Sequence, residues 1–481
     1  MSEFNPSSVE VIKAEIISYD NSTVRNIATN YIYSWELTQS MDAVSYKGSL
    51  SILDSSGLLE GMPIRGEETL YLWLKGMDLN TTVKISAIIH KVSDIMPAPN
   101  SGSLTYKLHF VSAETFKAST KVITKGLEDK PNEMAKYVFE QSFGQLKPLE
   151  DSFYLDPDDD TKQLPYQTRR FPIVKAASAA NEADRSFFIQ NTSNTTKLII
   201  PHLSPSEALF FIAARGYNVF TPSQTFRFFE TIENFYFCTD EYFIRKANNT
   251  NSAIDLFYAP IVDLDAANAR AQVNRIEELH ILSKGIDTST DLFSGAYTNE
   301  VVEVDFIRRR IDYSHFNYDN AKYIDMSGTT RSLDDNPHTA DFRRAAFTKE
   351  NARRFMTFRN YARPGDAASN ILPDQHLPEI VHNRVSYYHH LNNTTLMCAM
   401  KGRLDIRPGM LINLDIKELD SVSSNLTGNK SLSGKYLVQQ TNHTMREDIL
   451  HTTLKLAKFD WSGQQSLAET STADIPNEGP R

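Results

Sequence analysis

The first stretch of the chain alternates apolar and polar positions with a period of two. Val83, Ile85, Ala87 and Ile89 fall on one side, and Lys84, Ser86 and His90 on the other. Leu104, Tyr106, Leu108 and Phe110 alternate in the same way with Thr105, Lys107 and His109. Successive side chains on a strand point to opposite faces, so each run predicts a strand with one buried face. Further strands are expected near Ile32–Thr38, Val44–Leu53 and Glu68–Leu74, the last entered through Pro63. Together they read as antiparallel β, a small barrel or a curled sheet.

The period changes near Thr115. Pro131–Phe143 predicts a helix with Met134, Ala135, Val138 and Phe139 on one face and Gly144 as its stop. Ser204-Pro205-Ser206-Glu207 carries the signature of a capping box with proline in the first turn. Phe226–Glu230 and Phe235–Thr239 predict a hairpin. Strands resume at Arg275–Ser283 and Glu300–Tyr313, and a helix opens at Pro378. Four more strands are expected at Leu396–Lys401, Met410–Ile416, Lys435–His443 and His451–Ala457.

The two β-regions repeat one another in order. Pro63 leading into Thr69–Leu72 parallels Pro408-Gly409 leading into Leu411–Leu414. Lys84–His90 parallels Lys435–His443, and Leu104–Phe110 parallels Thr452–Ala457, all at nearly constant separation. The expected fold class is therefore α+β, mainly antiparallel β, with two similar β-barrel-like domains and two α+β insertion domains. The first β-domain covers 8–115 and an α+β domain 116–265. The second β-domain is split into 266–318 and 393–458 by an insertion over 319–392. The polar segment 459–481 reads as a flexible tail.

Composition narrows the function. A chain of 481 residues exceeds one ordinary core. The formal net charge of −10 argues against a dedicated nucleic-acid binder, whereas a closed assembly that lets DNA slide past tolerates it. Cys238 and Cys398 make no disulfide framework, and Met1–Glu10 lacks the features of a signal peptide. No apolar run is long enough for a membrane-spanning helix. A reducing cytoplasm, with no membrane anchoring, is the expected place of synthesis.

Three stretches carry a family resemblance: Leu58–Glu68, Ile200–Ala213, and Ser433–Val438 with the preceding Arg407-Pro408-Gly409. In these the chain resembles the baseplate hub proteins of T-even-type contractile phages, the fold family shared with type VI secretion spikes. It departs from the family in extra length around 145–200 and 320–380. The resemblance implies two tube domains per chain and a homotrimeric ring of six similar domains. It also implies seating of a trimeric central spike protein on one face and a hexameric tail tube or tube-initiator protein on the other. Tape measure and wedge proteins are further implied partners, with DNA only in passage, in a virion assembled in the host cytoplasm.

Catalytic chemistry has no motif here. There is no Gly-x-Ser-x-Gly elbow, no His-Glu-x-x-His and no Gly-rich phosphate loop, and no cofactor is expected. Asp156, Asp158 and Asp160 start like a calcium loop, but Thr161 and Gln167 stand where Gly and Glu are needed. His382, His389 and His390 lack an evident third ligand. Glu277-Glu278 cannot flank one sugar bond from a single strand. Arg308-Arg309-Arg310, read as one strand, would point alternate ways and favour salt bridges to a neighbouring subunit. Interface positions are expected at Glu67, Glu68, Arg308, Arg310, Pro408 and Gly409. Two other readings stay open at this level: a cell-wall hydrolase with β binding domains, and the spike of a type VI or phage-like injection system.

Overall fold

The computed structural model describes most of residues 8–148, 163–168, 185–259, 273–332, 353–358 and 376–458. The opening alternation becomes β1 (Val9–Ile17), β2 (Val24–Asn26), β3 (Ile32–Ser40), β4 (Lys47–Asp54), β5 (Thr69–Gly76), β6 (Thr82–Pro97) and β7 (Leu104–Ser112). The inward positions, among them Leu50, Leu70, Leu72, Ile85, Leu108 and Phe110, converge on one buried core. Gly48 on β4 leaves room for the Phe110 ring, because a Cβ there would sit 2.3 Å from the ring edge.

An α+β unit follows, with the short helix α1 (Leu58–Gly61) behind it in the first domain. The unit contains α2 (Ala113–Ser119), α3 (Pro131–Ser142), α4 (Pro205–Ala213) and α5 (Asp240–Asn249). Its strands are β8 (Ile123–Asp129), β9 (Leu146–Pro148), β10 (Gln163–Thr168), β11 (Arg185–Gln190), β12 (Thr196–Leu203), β13 (Arg227–Glu230) and β14 (Asn234–Cys238). Both expected helices form, and Ser204 and Glu207 close the capping box that the sequence spells. The core is rich in Phe: the rings of Phe139 and Phe187 stack with centroids 4.2 Å apart.

The remainder supplies β15 (Ile254–Tyr258), β16 (Arg275–Lys284), α6 (Thr288–Ser294), β17 (Thr298–Asp305), β18 (Arg310–Asn317), β19 (Lys322–Ile324), β20 (Thr330–Ser332) and β21 (Arg353–Phe358). Then come α7 (Leu377–Leu391), β22 (Thr394–Lys401), β23 (Leu411–Leu419), β24 (Leu426–Gly428), β25 (Gly434–Arg446) and β26 (Ile449–Lys458).

The two β-regions trace the same path. In the first, neighbours run β1-β5-β6-β7-β4-β3; in the second they run β15-β23-β25-β26-β22-β16. Taken in chain order, each strand of one set occupies the place of its counterpart in the other. The irregularities correspond as well. β6 bulges against β7 between Ile89 and Lys91, and β25 bulges against β26 between Val438 and Gln440. β3 bulges between Ile32 and Ser34, and β16 between Ile276 and Glu278. A bulge inserts one extra residue and locally tightens the twist, so matched bulges mark matched curvature.

Two features differ between the sets. β1 runs antiparallel to β5, whereas β15 runs parallel to β23. The second set closes into a six-stranded barrel where Phe257 and Tyr258 of β15 meet Arg275 and Ile276 of β16. Among the described residues β1 and β3 do not pair with each other.

The structure corrects the sequence reading at two strands. β15 falls within the span expected of the α+β unit, 116–265, but it joins the second barrel, because its Leu256 packs with Ile412 and Leu414. Glu300–Tyr313 is not one strand of that barrel. It is the hairpin β17–β18, turning near Arg309 at φ 52°, and it forms a separate sheet with β21.

Candidate assembly surfaces

The two barrels are joined edge to edge. The outer half of β25, Gln440–Arg446, pairs antiparallel with Ser34–Ser40 of β3, making one sheet of 14 strands. Ser8 bridges Ile449, so the β25–β26 hairpin fills the gap between β1 and β3. The joint is specific. Trp35 Nε1 donates to Met445 Sδ at 3.0 Å, Thr38 to Asn442 at 3.2 Å, and Asn442 to Glu36 at 3.2 Å. Met445 and Leu450 lie in the first barrel's core although the second barrel's strands carry them.

His443 sits in the same hairpin, buried and hydrogen-bonded to Thr452 at 3.1 Å. Burial, aided by the Arg407 cation, pushes its pKa down to about 3, so it is neutral at physiological pH.

Buried charges hold the α+β unit together and tie it to the first barrel. Arg185 reaches Glu230 at 2.6 Å and Glu114 at 3.3 Å, with all three side chains enclosed. Thr115 on α2 also donates to Glu230 at 2.8 Å. Burial raises the Glu230 pKa, and the guanidinium opposes that rise. Arg227 bridges Asp240 at 2.9 Å and Asp42 in the β3–β4 turn, and it lies 4.6 Å over the Tyr388 ring of α7.

Three exposed features remain. β16 from Glu277 to Leu282 has a strand neighbour on one side only among the described residues, β22. Ile281 and Leu282 on this edge are 47% and 52% exposed. Beyond Ile89, β6 likewise has only β7 beside it, with Ile95 and Met96 57% and 58% exposed. The β17–β18–β21 sheet presents a third apolar surface, since its register places exposed Ile311, Tyr313, Met356 and Phe358 on the same face as Val302 and Val304. Its other face packs on α7, where a cleft of about 480 Å³ opens beside Glu303, Asp312, His315, Phe316 and His382.

The expected site residues take varied places. Glu67 is exposed, but Glu68 is fully buried. The Glu68 carboxylate accepts from the backbone N–H groups of Arg65, Gly66 and Glu67 at 2.7, 2.9 and 3.2 Å, so it holds its own loop together. Pro408 and Gly409 are buried too. Gly409 has φ +89°, donates to the Val438 carbonyl at 2.9 Å, and abuts Phe243 of α5. Arg310 is exposed and pairs with Asp312; Arg308 lies outside the described residues.

Arg354 pairs with Glu300, and Arg353 lies over Phe355. Arg343, Arg344 and the Asp156–Asp160 loop lie outside the described residues. His382 is engaged by Asn299 and by Ser314 at 3.0 Å, and burial pushes its pKa down to about 4. His390 packs edge-on to Tyr297. Among the described residues no three His, Cys, Asp or Glu side chains converge as metal ligands, and no helix is long and apolar enough to cross a membrane. Cys238 and Cys398 are buried thiols.

Sequence reasoning missed the joint itself. Its signal lay in the length of β25, whose alternation runs well past the end of its pairing with β23.

No family model and no curated protein matches the chain. Among solved structures, a tail protein from Neisseria meningitidis MC58 aligns with 94% of this chain and 98% of its own, at 10% identity and a TM-score of 0.47. The 43 kDa tail protein of prophage MuSo2 from Shewanella oneidensis aligns with 93% of this chain and 98% of its own, at 7% identity and 0.46. The E. coli c3393 protein, a component of the type VI secretion system, aligns with 94% of this chain and 77% of its own, at 6% identity and 0.38.

Proposed function

We propose that this chain is the structural hub of a contractile phage tail baseplate, three copies of which form a ring between a six-fold tail tube and a three-fold central spike. One observation carries the reading: a single chain holds two β-regions of identical strand order, joined side by side through β3 and β25. Three such chains present six nearly equivalent barrels around an axis. A hexameric tube meets matching surfaces on that face. The two barrels differ in what is inserted around them, the α+β unit after β7 and the β17–α7 region after β16. A second face is therefore only three-fold, as a trimeric spike requires. Head-to-tail contacts close when the rotation per subunit completes a circle.

The role is structural: the ring positions partners and lets DNA pass, which a chain of net charge −10 favours by not trapping phosphates. Mass measurement of the purified protein together with class averages from electron microscopy tests this. A trimeric ring with six lobes around a central opening is expected; a stable monomer at micromolar concentration, or clearing of peptidoglycan by the purified chain, counts against it.

A further inference from the structure

The joint inside the chain is a template for a joint between chains. Within one chain, β3 offers an open edge and the outer half of β25 covers it. By strand order, the counterpart of β3 is β16, and the counterpart of β25 is β6. These are the two strands with one-sided pairing among the described residues: β16 from Glu277 to Leu282, and β6 beyond Ile89. One chain thus uses one socket and one arm on itself and leaves one socket and one arm open.

We propose that the outer half of β6 of one copy pairs antiparallel with β16 of the next, repeating between chains the β25–β3 joint. This rests on the ring reading and specifies its contact.

The register follows from the ladders. Ser93 faces Lys107 on β7 as Asn442 faces Thr453 on β26, and Asn442 lies opposite Thr38 in the joint. Thr38 faces Lys47 on β4 as Ser283 faces Thr395 on β22. Ser93 of one copy therefore lies opposite Ser283 of the next. By the same steps Met96 lies opposite His280, as Thr444 lies opposite Glu36.

Between these anchors both open edges carry one residue more than their counterparts. β6 places Asp94 and Ile95 where β25 has His443 alone, because its ladder slips between Ser93 and Met96. β16 places Ile281 and Leu282 where β3 has Leu37 alone, because its ladder slips between Ile281 and Ser283. The two insertions face each other and bring exposed Ile95 against exposed Ile281 and Leu282. In the internal joint the same place is occupied by His443 and Leu37, each 1% exposed. An open edge with apolar side chains is a template for another strand, and a copy of this chain carries the matching strand.

The test is a paired substitution, Met96→Cys with His280→Cys, in the full chain. Opposed strand residues lie about 4.5–5.5 Å apart at Cα, within disulfide reach, and the native cysteines are buried. Mild oxidation and a denaturing gel should give a ladder that stops at three chains, absent from either single variant. A ladder running on past three supports the pairing and overturns the three-fold ring. A trimer by mass that forms no covalent product overturns the pairing and leaves the ring. A monomer without product removes both. Ile95→Lys and Leu282→Lys, at sites already exposed in the single chain, should each weaken association at least tenfold with unchanged far-ultraviolet dichroism; unaltered association would overturn the pairing independently of the cross-link.

Discussion

The indole Nε1 of Trp35 donates to the thioether of Met445 at 3.0 Å, although 410 residues separate them. Both side chains are 1% exposed, so the contact is made inside the first barrel's core.

Met445→Ala should therefore damage the first barrel, not only the second. It removes a buried side chain and leaves the indole N–H without a partner. A loss of about 2–5 kcal/mol is expected. Urea unfolding would read it, with a shift in Trp fluorescence; a cost under about 1 kcal/mol would mean that the hairpin does not complete that core.

Arg185 holds two buried carboxylates, Glu114 and Glu230. Arg185→Met strands both and should cost about 3–5 kcal/mol at neutral pH. Adding Glu230→Gln should return part of it, since the remaining charge is then single. Equal losses in the single and double variants would show that the pair is not coupled.

Acid should loosen the fold through two histidines. Unfolded His titrates near 6.5, whereas His443 and His382 stay neutral in the fold to about 3 and about 4. As pH falls below 6.5 the unfolded chain binds protons that the folded chain refuses. Stability then drops by up to about 1.4 kcal/mol per pH unit for each histidine. Glu241 runs the other way: burial raises its pKa to about 8 from 4.5, so its contribution is present below 4.5 and is lost as pH rises toward 8. The two effects oppose each other from 4.5 to 6.5, and the steepest acid loss should come below 4.5. His443→Gln should flatten that limb in urea midpoints measured from pH 7 to 3.5; an unchanged slope would exclude His443 as a contributor.

Gly409 holds φ +89°, and an added Cβ would sit 2.9 Å from the Phe243 ring. Gly409→Ala should cost about 1–3 kcal/mol from backbone strain alone. Adding Phe243→Leu should relieve only the steric part. A melting temperature unchanged by Gly409→Ala would contradict the geometry of this turn.

Much of the barrel architecture was legible because one-sided burial writes itself as alternation, as at Val83–Ile89 and Leu104–Phe110. The capping box at Ser204 was legible because its partners are local. β15 was not: five residues shortly after α5 carry no period long enough to say which sheet they enter, and their parallel pairing with β23 is set by distant chain. The turn at Arg309 looked like strand because polar and apolar residues alternate on both sides of it. Glu68 and Gly409 read from the sequence as interface positions, but composition does not say whether a polar or flexible position faces a partner or its own loop. The carboxylate's three backbone donors answer that for Glu68.

Because Met445 and Leu450 belong to the first barrel's core, that barrel waits for the far end of its own message. A ribosome finishes β7 long before it reaches the β25–β26 hairpin, and at about 5–20 residues per second the interval is tens of seconds. Throughout it, β3 stands as a bare edge in a crowded cell where sister chains are being made. Early pulses of synthesis should accordingly yield an amino-terminal half that proteases cut readily and chaperones hold, becoming resistant only once residue 450 has left the exit tunnel.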